Sequence, residues 1–212
     1  MASGNIAKRW RVLSGEEGWE GLLDPIDPDL RRYLIHYGER VQGAYDTLIS
    51  NLLSENFALS RYGHKNLFSK VGLVEGRPFK YDVKKYLYGS TAFLPAKDVA
   101  PGVALAAGKS RWLGYVAVAT DQGKEALGRR DILVAIRGTL FSDGDISREK
   151  EIDNSFFLTS ASDILGDKFK PQVHHGWYSY YTASEAGSKS KYNLTSLKDQ
   201  VYYIIYIYGS FC

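Results

Sequence analysis

The run Asp131-Ile132-Leu133-Val134-Ala135-Ile136-Arg137-Gly138-Thr139-Leu140 decides the fold. Five apolar residues, three of them β-branched, stand between an aspartate and an Arg-Gly-Thr turn. Side chains of that kind suit a pleated surface, and a run this short bounded by turn signals reads as a strand over Asp131 to Ile136. No polar residue alternates within it, the pattern of a strand covered on both faces. Upstream, Trp112 to Ala119 with Tyr115, Val116 and Val118 reads as another strand. Asp121-Gln122-Gly123 and the polar residues after it turn the chain, so the two runs are expected to form an antiparallel hairpin.

Helical signals lie on either side. Residues 1–27 hold short helical pieces rich in Trp and Gly. Asp27-Pro28 is a helix start: a capping side chain, then a proline where no amide donor is needed. Leu30, Tyr33, Leu34, Tyr37, Val41, Ala44, Tyr45 and Leu48 then recur at three- and four-residue steps, predicting one apolar stripe on a helix of about 20–25 residues. Residues 54–80 are turn-rich, Tyr81 to Leu87 fits a strand or a helix turn, and residues 95–110 read as a loop. Phe156 to Leu158 fits a strand, Gln172 to Tyr181 runs from strand into helix, and Ser196 to Tyr208 is helical. In this last helix Tyr202, Tyr203, Ile204, Ile205, Tyr206, Ile207 and Tyr208 erase the polar face. A helix apolar all round must be buried completely. The tail from about Val201 therefore reads as foreign to this fold, as a retained intron or a misread splice junction would make it.

At 212 residues and 23.8 kDa, with 44% hydrophobic and 14% aromatic residues, the chain suits one domain or part of a larger one and is too apolar for wholesale disorder. A formal charge of +3 without any dense Lys/Arg run argues against nucleic acid as a partner. The single cysteine, Cys212, cannot form an intrachain disulfide. Met1 to Trp10 has no apolar signal core, and Glu16 and Glu17 speak against plastid targeting, so the expected location is cytoplasmic. No stretch approaches the ~18 apolar residues of a transmembrane helix. Asn193-Leu194-Thr195 matches a glycosylation sequon by chance, with Thr195 read as a helix cap.

Several motifs fail on spacing. Gly102 and Gly108-Lys109-Ser110 are separated by five residues where a phosphate-binding loop needs four. His174 and His175 would point to opposite faces of a strand, no His-Glu-x-x-His or paired-cysteine pattern exists, and neither a metal nor a cofactor is expected. His36 and His64 sit alone as surface or packing residues. No serine has glycine at both −2 and +2, which the nucleophile elbow requires because its strained turn leaves no room for side chains. Cys212, at the chain terminus, has no scaffold to hold it against a base.

The strand-turn segment resembles the class 3 lipase family, and more closely the plant phospholipase A1 group carrying the lipase-3 domain, over about residues 8–200. Trp10-Arg11, Trp19-Glu20-Gly21-Leu22-Leu23-Asp24-Pro25, Tyr86-Leu87-Tyr88, Gly114-Tyr115-Val116-Ala117-Val118, Leu158-Thr159-Ser160-Ala161-Ser162-Asp163 and Val173-His174-His175-Gly176-Trp177-Tyr178 fit that group in order and approximate spacing. The resemblance implies an α/β fold, specifically an incomplete α/β-hydrolase with N-terminal helices and the first strands of the central sheet. It implies hydrolysis of an acyl ester, typically at the sn-1 position of a glycerophospholipid, with a peripheral lipid surface as a further partner. On this reading residues 1–130 are a helical region with the first strands, 131–200 the start of the lipase-3 core, and 201–212 an aberrant tail. Thr139 takes the oxyanion-hole position, Arg137 and Gly138 support the turn, and His174 is structural, hydrogen-bonding a neighbouring loop. Leu140, Phe141, Ile146 and Ile152 occupy the place of a lid, although that segment is charged and lacks tryptophan, and a solvated loop is the alternative. The family's Ser-Asp-His triad has no counterpart here, so the chain is expected to be inactive as written. The alternative function is a non-catalytic isoform that binds lipid surfaces or a full-length partner.

Overall fold

The structure, a computed structural model, describes residues 4–51, 53–89, 110–138, 158–184, 192 and 194–209. They divide into two compact units.

The first unit comprises Met1–Tyr86, Leu113–Arg137 and Tyr203–Cys212. Its described elements are helices α1 (Gly4–Leu13), α2 (Pro28–Thr47) and α3 (Leu67–Lys70), strands β1 (Tyr81–Gly89) and β2 (Arg111–Ala119), helix α4 (Asp121–Leu127) and strand β3 (Ile132–Ile136), with β1 and β2 running into the second unit. The sheet order is β1-β2-β3. Strands β2 and β3 are antiparallel, with Gly114 opposite Ile136, Val116 opposite Val134 and Val118 opposite Ile132. The expected pairing is present, but its connection is not a plain turn. Thr120 caps α4 by accepting from the Gly123 amide, and Gly128 ends it in the left-handed region at φ +78°.

The doubly covered strand is β2, not β3. Every residue of β2 is buried, whereas β3 buries Leu133 and Ala135 and leaves Val134 36% exposed. Helix α2 packs on β3 and covers one face, that of Leu133 and Ala135, while Val134 points to the other. An uninterrupted apolar run could not distinguish these cases.

Helix α2 starts as expected, with Asp27 accepting from the amides of Asp29 (2.8 Å) and Leu30 (3.0 Å). Its buried stripe differs from the expected one. Leu30, Tyr33 and Ala44 are inside, but Leu34 and Val41 are exposed, and His36, Arg40 and Thr47 take the interior line. Their spacing puts them on the face of Tyr33, and each makes hydrogen bonds to internal partners. Arg40 donates to the carbonyls of His36 (2.8 Å) and Phe79 (2.6 Å), Tyr115 donates to the Arg40 carbonyl (2.8 Å), and Thr47 donates to Gly43 (2.8 Å). A buried polar group costs little once its hydrogen bonds are made.

The second unit comprises Leu87–Trp112 and Gly138–Tyr202. Strand β4 (Leu158–Ser160) pairs antiparallel with β5 (Gln172–His174), short helix α5 (Ser162–Leu165) lies between them, and α6 (His175–Thr182) continues directly from β5 and packs on both strands. Phe156 and Phe157, expected to open β4, lie outside the described residues. Helix α7 (Leu197–Gly209) begins in this unit. Ser196, not Thr195, caps it: the Ser196 hydroxyl accepts from the Asp199 amide (3.1 Å) and donates to the Asp199 carboxylate (2.6 Å). The Gln200 side chain donates to the Tyr88 carbonyl (2.9 Å) and accepts from its amide (3.1 Å), occupying that point of β1 as a neighbouring strand would. The tail's expected need for complete burial is not met: Ile204 is inside, but Tyr202, Tyr203, Ile205 and Tyr206 face solvent, Tyr206 at 72%.

Candidate functional site

The strand that leads to the Arg-Gly-Thr turn is held at its start by a buried polar cluster in the first unit. Asp131, just before β3, accepts at Oδ2 from the hydroxyls of Tyr81 (2.7 Å) and Tyr37 (3.0 Å), and at Oδ1 it pairs with Arg129 (3.0 Å). Arg129 donates to the hydroxyls of Tyr33 (2.7 Å) and Tyr37 (2.9 Å) and lies over the Trp10 ring, 4.7 Å from its centroid. The Tyr33 hydroxyl also bonds Ser14 (2.7 Å). Tyr81 has one proton and gives it to Asp131, so in its 3.1 Å contact with His36 it accepts from Nε2–H. Nδ1 of His36 then carries the lone pair, buried and without a hydrogen-bond partner among the described residues.

Electrostatics make this cluster a support, not a nucleophile. Burial raises the Tyr81 and Tyr37 hydroxyls well above the ordinary phenol range, and the Asp131 charge raises them further. Both stay protonated donors. Burial, then the charges of Arg40 and Arg129, lowers His36 to about 2, so its imidazole is neutral at physiological pH. It lies on the interior face of α2 at 2% exposure, as a packing residue.

At the far end of β3, the buried Arg137 donates its amide to the Leu113 carbonyl (2.9 Å), extending the β2–β3 ladder by one residue. The close approach depends on Gly114: a Cβ there would lie 1.9 Å from the Ala135 carbonyl oxygen. Gly138, the next residue, is half-buried and begins the second unit. Thr139, the oxyanion candidate, lies outside the described residues, as do the lid candidates Leu140, Phe141, Ile146 and Ile152.

His174 does not reach a neighbouring loop among the hydrogen bonds described. Its Nδ1 accepts from the Trp177 amide (3.4 Å) and so caps α6 within its own segment. The cause is the strand-to-helix junction between His174 and His175, which leaves the first-turn amides in need of an acceptor. Among the described residues no group of three or more His, Cys, Asp or Glu could hold a metal ion, and no helix is long and apolar enough to cross a membrane.

Comparison with known proteins gives consistent relatives. The chain is 42% identical to phospholipase A1-IIalpha of Arabidopsis thaliana over 204 residues, covering 92% of this chain and 46% of that protein. It is 40% identical to phospholipase A1-IIbeta of the same plant, covering 93% and 48%, and 42% identical to phospholipase A1-II 6 of Oryza sativa subsp. japonica, covering 92% and 46%. The chain belongs to the plant phospholipase A1 family. It spans about half the length of the curated relatives it matches. No family model matches the chain.

In this phospholipase A1 family member the Asp131 cluster was not legible beforehand. Tyr33 and Tyr37 read as apolar stripe residues, and Asp131 as the first residue of a strand. The signal that could have found it is two tyrosines one helical turn apart, whose hydroxyls need partners when buried, together with an Arg-x-Asp before a buried strand. The partners come from residues 50 and 94 positions away, which no local pattern pairs.

Proposed function

We propose that this chain is part of a phospholipase A1-type acylhydrolase and supplies the charge-stabilising side of its site. The observation that carries the reading is the 42% identity over 92% of the chain, combined with a sequence in which no serine stands in a Gly-x-Ser-x-Gly elbow. The mixed helix-and-antiparallel-sheet architecture is then the early portion of an α/β-hydrolase, with Arg137 and Gly138 ending the strand before Thr139. In the whole family protein a serine attacks the sn-1 ester carbonyl of a glycerophospholipid. The Thr139 amide donates to the developing oxyanion, the lysophospholipid leaves, and water releases the fatty acid. The residues after Thr139 form the lid over that site, and the protein acts from the cytoplasm on a lipid surface. This chain alone has the donor without the attacker and does not turn over ester.

The test has two arms. The purified chain is incubated with phosphatidylcholine and with a serine-reactive phosphonate; the expected result is neither fatty-acid release nor labelling, and robust turnover with labelling overturns the reading. Residues 1–200 are also joined to the half of Arabidopsis phospholipase A1-IIalpha that they do not match. This chimera is expected to release sn-1 fatty acid, and Thr139→Pro, which removes the amide donor, to lower its kcat by about 10²–10³. A proline variant as fast as the parent chimera removes Thr139 from the site. A fluorescent fusion to the chain tests the cytoplasmic assignment.

A further inference from the structure

Between β4 and β5 the second unit carries a closed excursion. The Ala161 amide donates to the Pro171 carbonyl (3.0 Å) across its base, where Ala161 itself is buried. The Leu165 and Gly166 amides bond back to the carbonyls of Ala161 (2.9 Å) and Ser162 (2.8 Å), and the Lys170 amide bonds the Asp167 carbonyl (3.1 Å) in a tight turn. The Tyr178 hydroxyl donates to the Asp163 carboxylate (2.7 Å), tying α5 to α6. The excursion is therefore preorganised by its own backbone. What it displays is apolar: Phe169, in the turn, is 82% exposed and Leu165 is 65% exposed. Lysines flank the phenyl ring on both sides in sequence, and the Lys168 ammonium lies 5.2 Å from the ring centroid. Lys170 adopts φ +44°, a left-handed conformation that non-glycine residues avoid.

We infer that the Leu165–Lys170 turn is an anchor that seats this chain on a phospholipid bilayer, with Phe169 and Leu165 entering the headgroup–acyl boundary and Lys168 and Lys170 at the phosphates. An aromatic ring exposed at a turn, with a lysine on either side in sequence and the Lys168 ammonium against it, matches the layered chemistry of a bilayer surface: apolar below, anionic oxygen at the level of the lysines. Asp167 offsets part of that charge, and the Asp163 carboxylate is occupied by Tyr178. Apolar insertion is accordingly the larger contribution, and the lysines add a preference for anionic lipid. The inference deepens the acylhydrolase reading and rests on it for the choice of lipid as occupant, but binding requires no turnover.

The experiment is co-sedimentation of the purified 212-residue chain with vesicles of phosphatidylcholine alone and of phosphatidylcholine with phosphatidylserine. Binding to both is expected, tighter to the anionic vesicles. Phe169→Ala lowers the partition coefficient about tenfold on both, and Lys168→Glu with Lys170→Glu abolishes the anionic preference. Because Phe169 is exposed, its replacement leaves the fold intact, which circular dichroism verifies. A polarity-sensitive dye on Phe169→Cys in a Cys212→Ser background gives a second readout, and a blue shift on adding vesicles is expected. Undiminished binding of Phe169→Ala, binding lost only on replacing Tyr202 and Tyr206, a dye that stays in water, or self-association through Phe169 without vesicle binding would each overturn the anchor. Those results leave the acylhydrolase reading standing on the chimera, while a dead chimera with intact Phe169-dependent binding removes that reading and not the anchor.

Discussion

Two tyrosine–aspartate hydrogen bonds of equal length sit in very different surroundings. Tyr81 donates to Asp131 across 2.7 Å inside the first unit, and Tyr178 donates to Asp163 across 2.7 Å on the surface of the second. The geometry is the same and the consequences are not. Around Asp131 water is excluded, so every partner that is removed leaves a buried group unpaired. Around Asp163 water replaces whatever is taken away. Burial, not bond length, decides which of these pairs the fold depends on.

The largest expected effect is at the centre of the buried cluster. Asp131→Ala strands the Arg129 guanidinium with its tyrosines and should destabilise the protein by about 3–5 kcal/mol in urea denaturation; a loss under 1 kcal/mol would mean that water already reaches the cluster. Acid is the next probe. The folded state holds His36 near 2, below the ordinary value of 6.5. Between those values the unfolded chain binds the proton and the folded chain does not. Stability from this group is therefore complete above pH 6.5 and declines below it by up to about 1.4 kcal/mol per pH unit. By pH 4.5 the loss should reach about 3 kcal/mol. His36→Gln should flatten that part of the stability–pH curve, and an unchanged slope would contradict the burial of His36. Tyr81→Phe, which deprives Asp131 of a donor and His36 of an acceptor, should cost about 1–3 kcal/mol. Tyr178→Phe should leave the urea midpoint where it is; a shift as large as that of Tyr81→Phe would erase the distinction between the two pairs.

Much of the fold was readable because its signals are local. Asp27-Pro28 announced α2, and its cap is where that pair placed it. The β2 and β3 runs announced two strands that do pair antiparallel, and Gln172 to Tyr181 announced a strand passing into a helix. The errors share a cause. Val134 was read as covered on both faces and is half open, Leu34 and Val41 were read as interior and are exposed, and His36 and Arg40 took their place. In each case the sequence states a side chain's polarity, while its burial depends on what another segment puts opposite. The site is legible to the same degree. Arg137-Gly138-Thr139 was singled out from its strand and its resemblance, whereas the cluster at the start of that strand draws Tyr37, Tyr81 and Arg129 from separate stretches.

By itself the amino-acid order determined where α2 begins, that the β2 and β3 runs are strands, that no serine stands in a nucleophile elbow, and that the chain is kin to plant phospholipases A1. Those properties depend on neighbours within a few residues or on similarity along the chain. Tertiary structure alone decided that Asp131 is the centre of a buried cluster and that Phe169 is exposed to water. Both follow from solvent exclusion, a property of the packed volume that no single segment possesses.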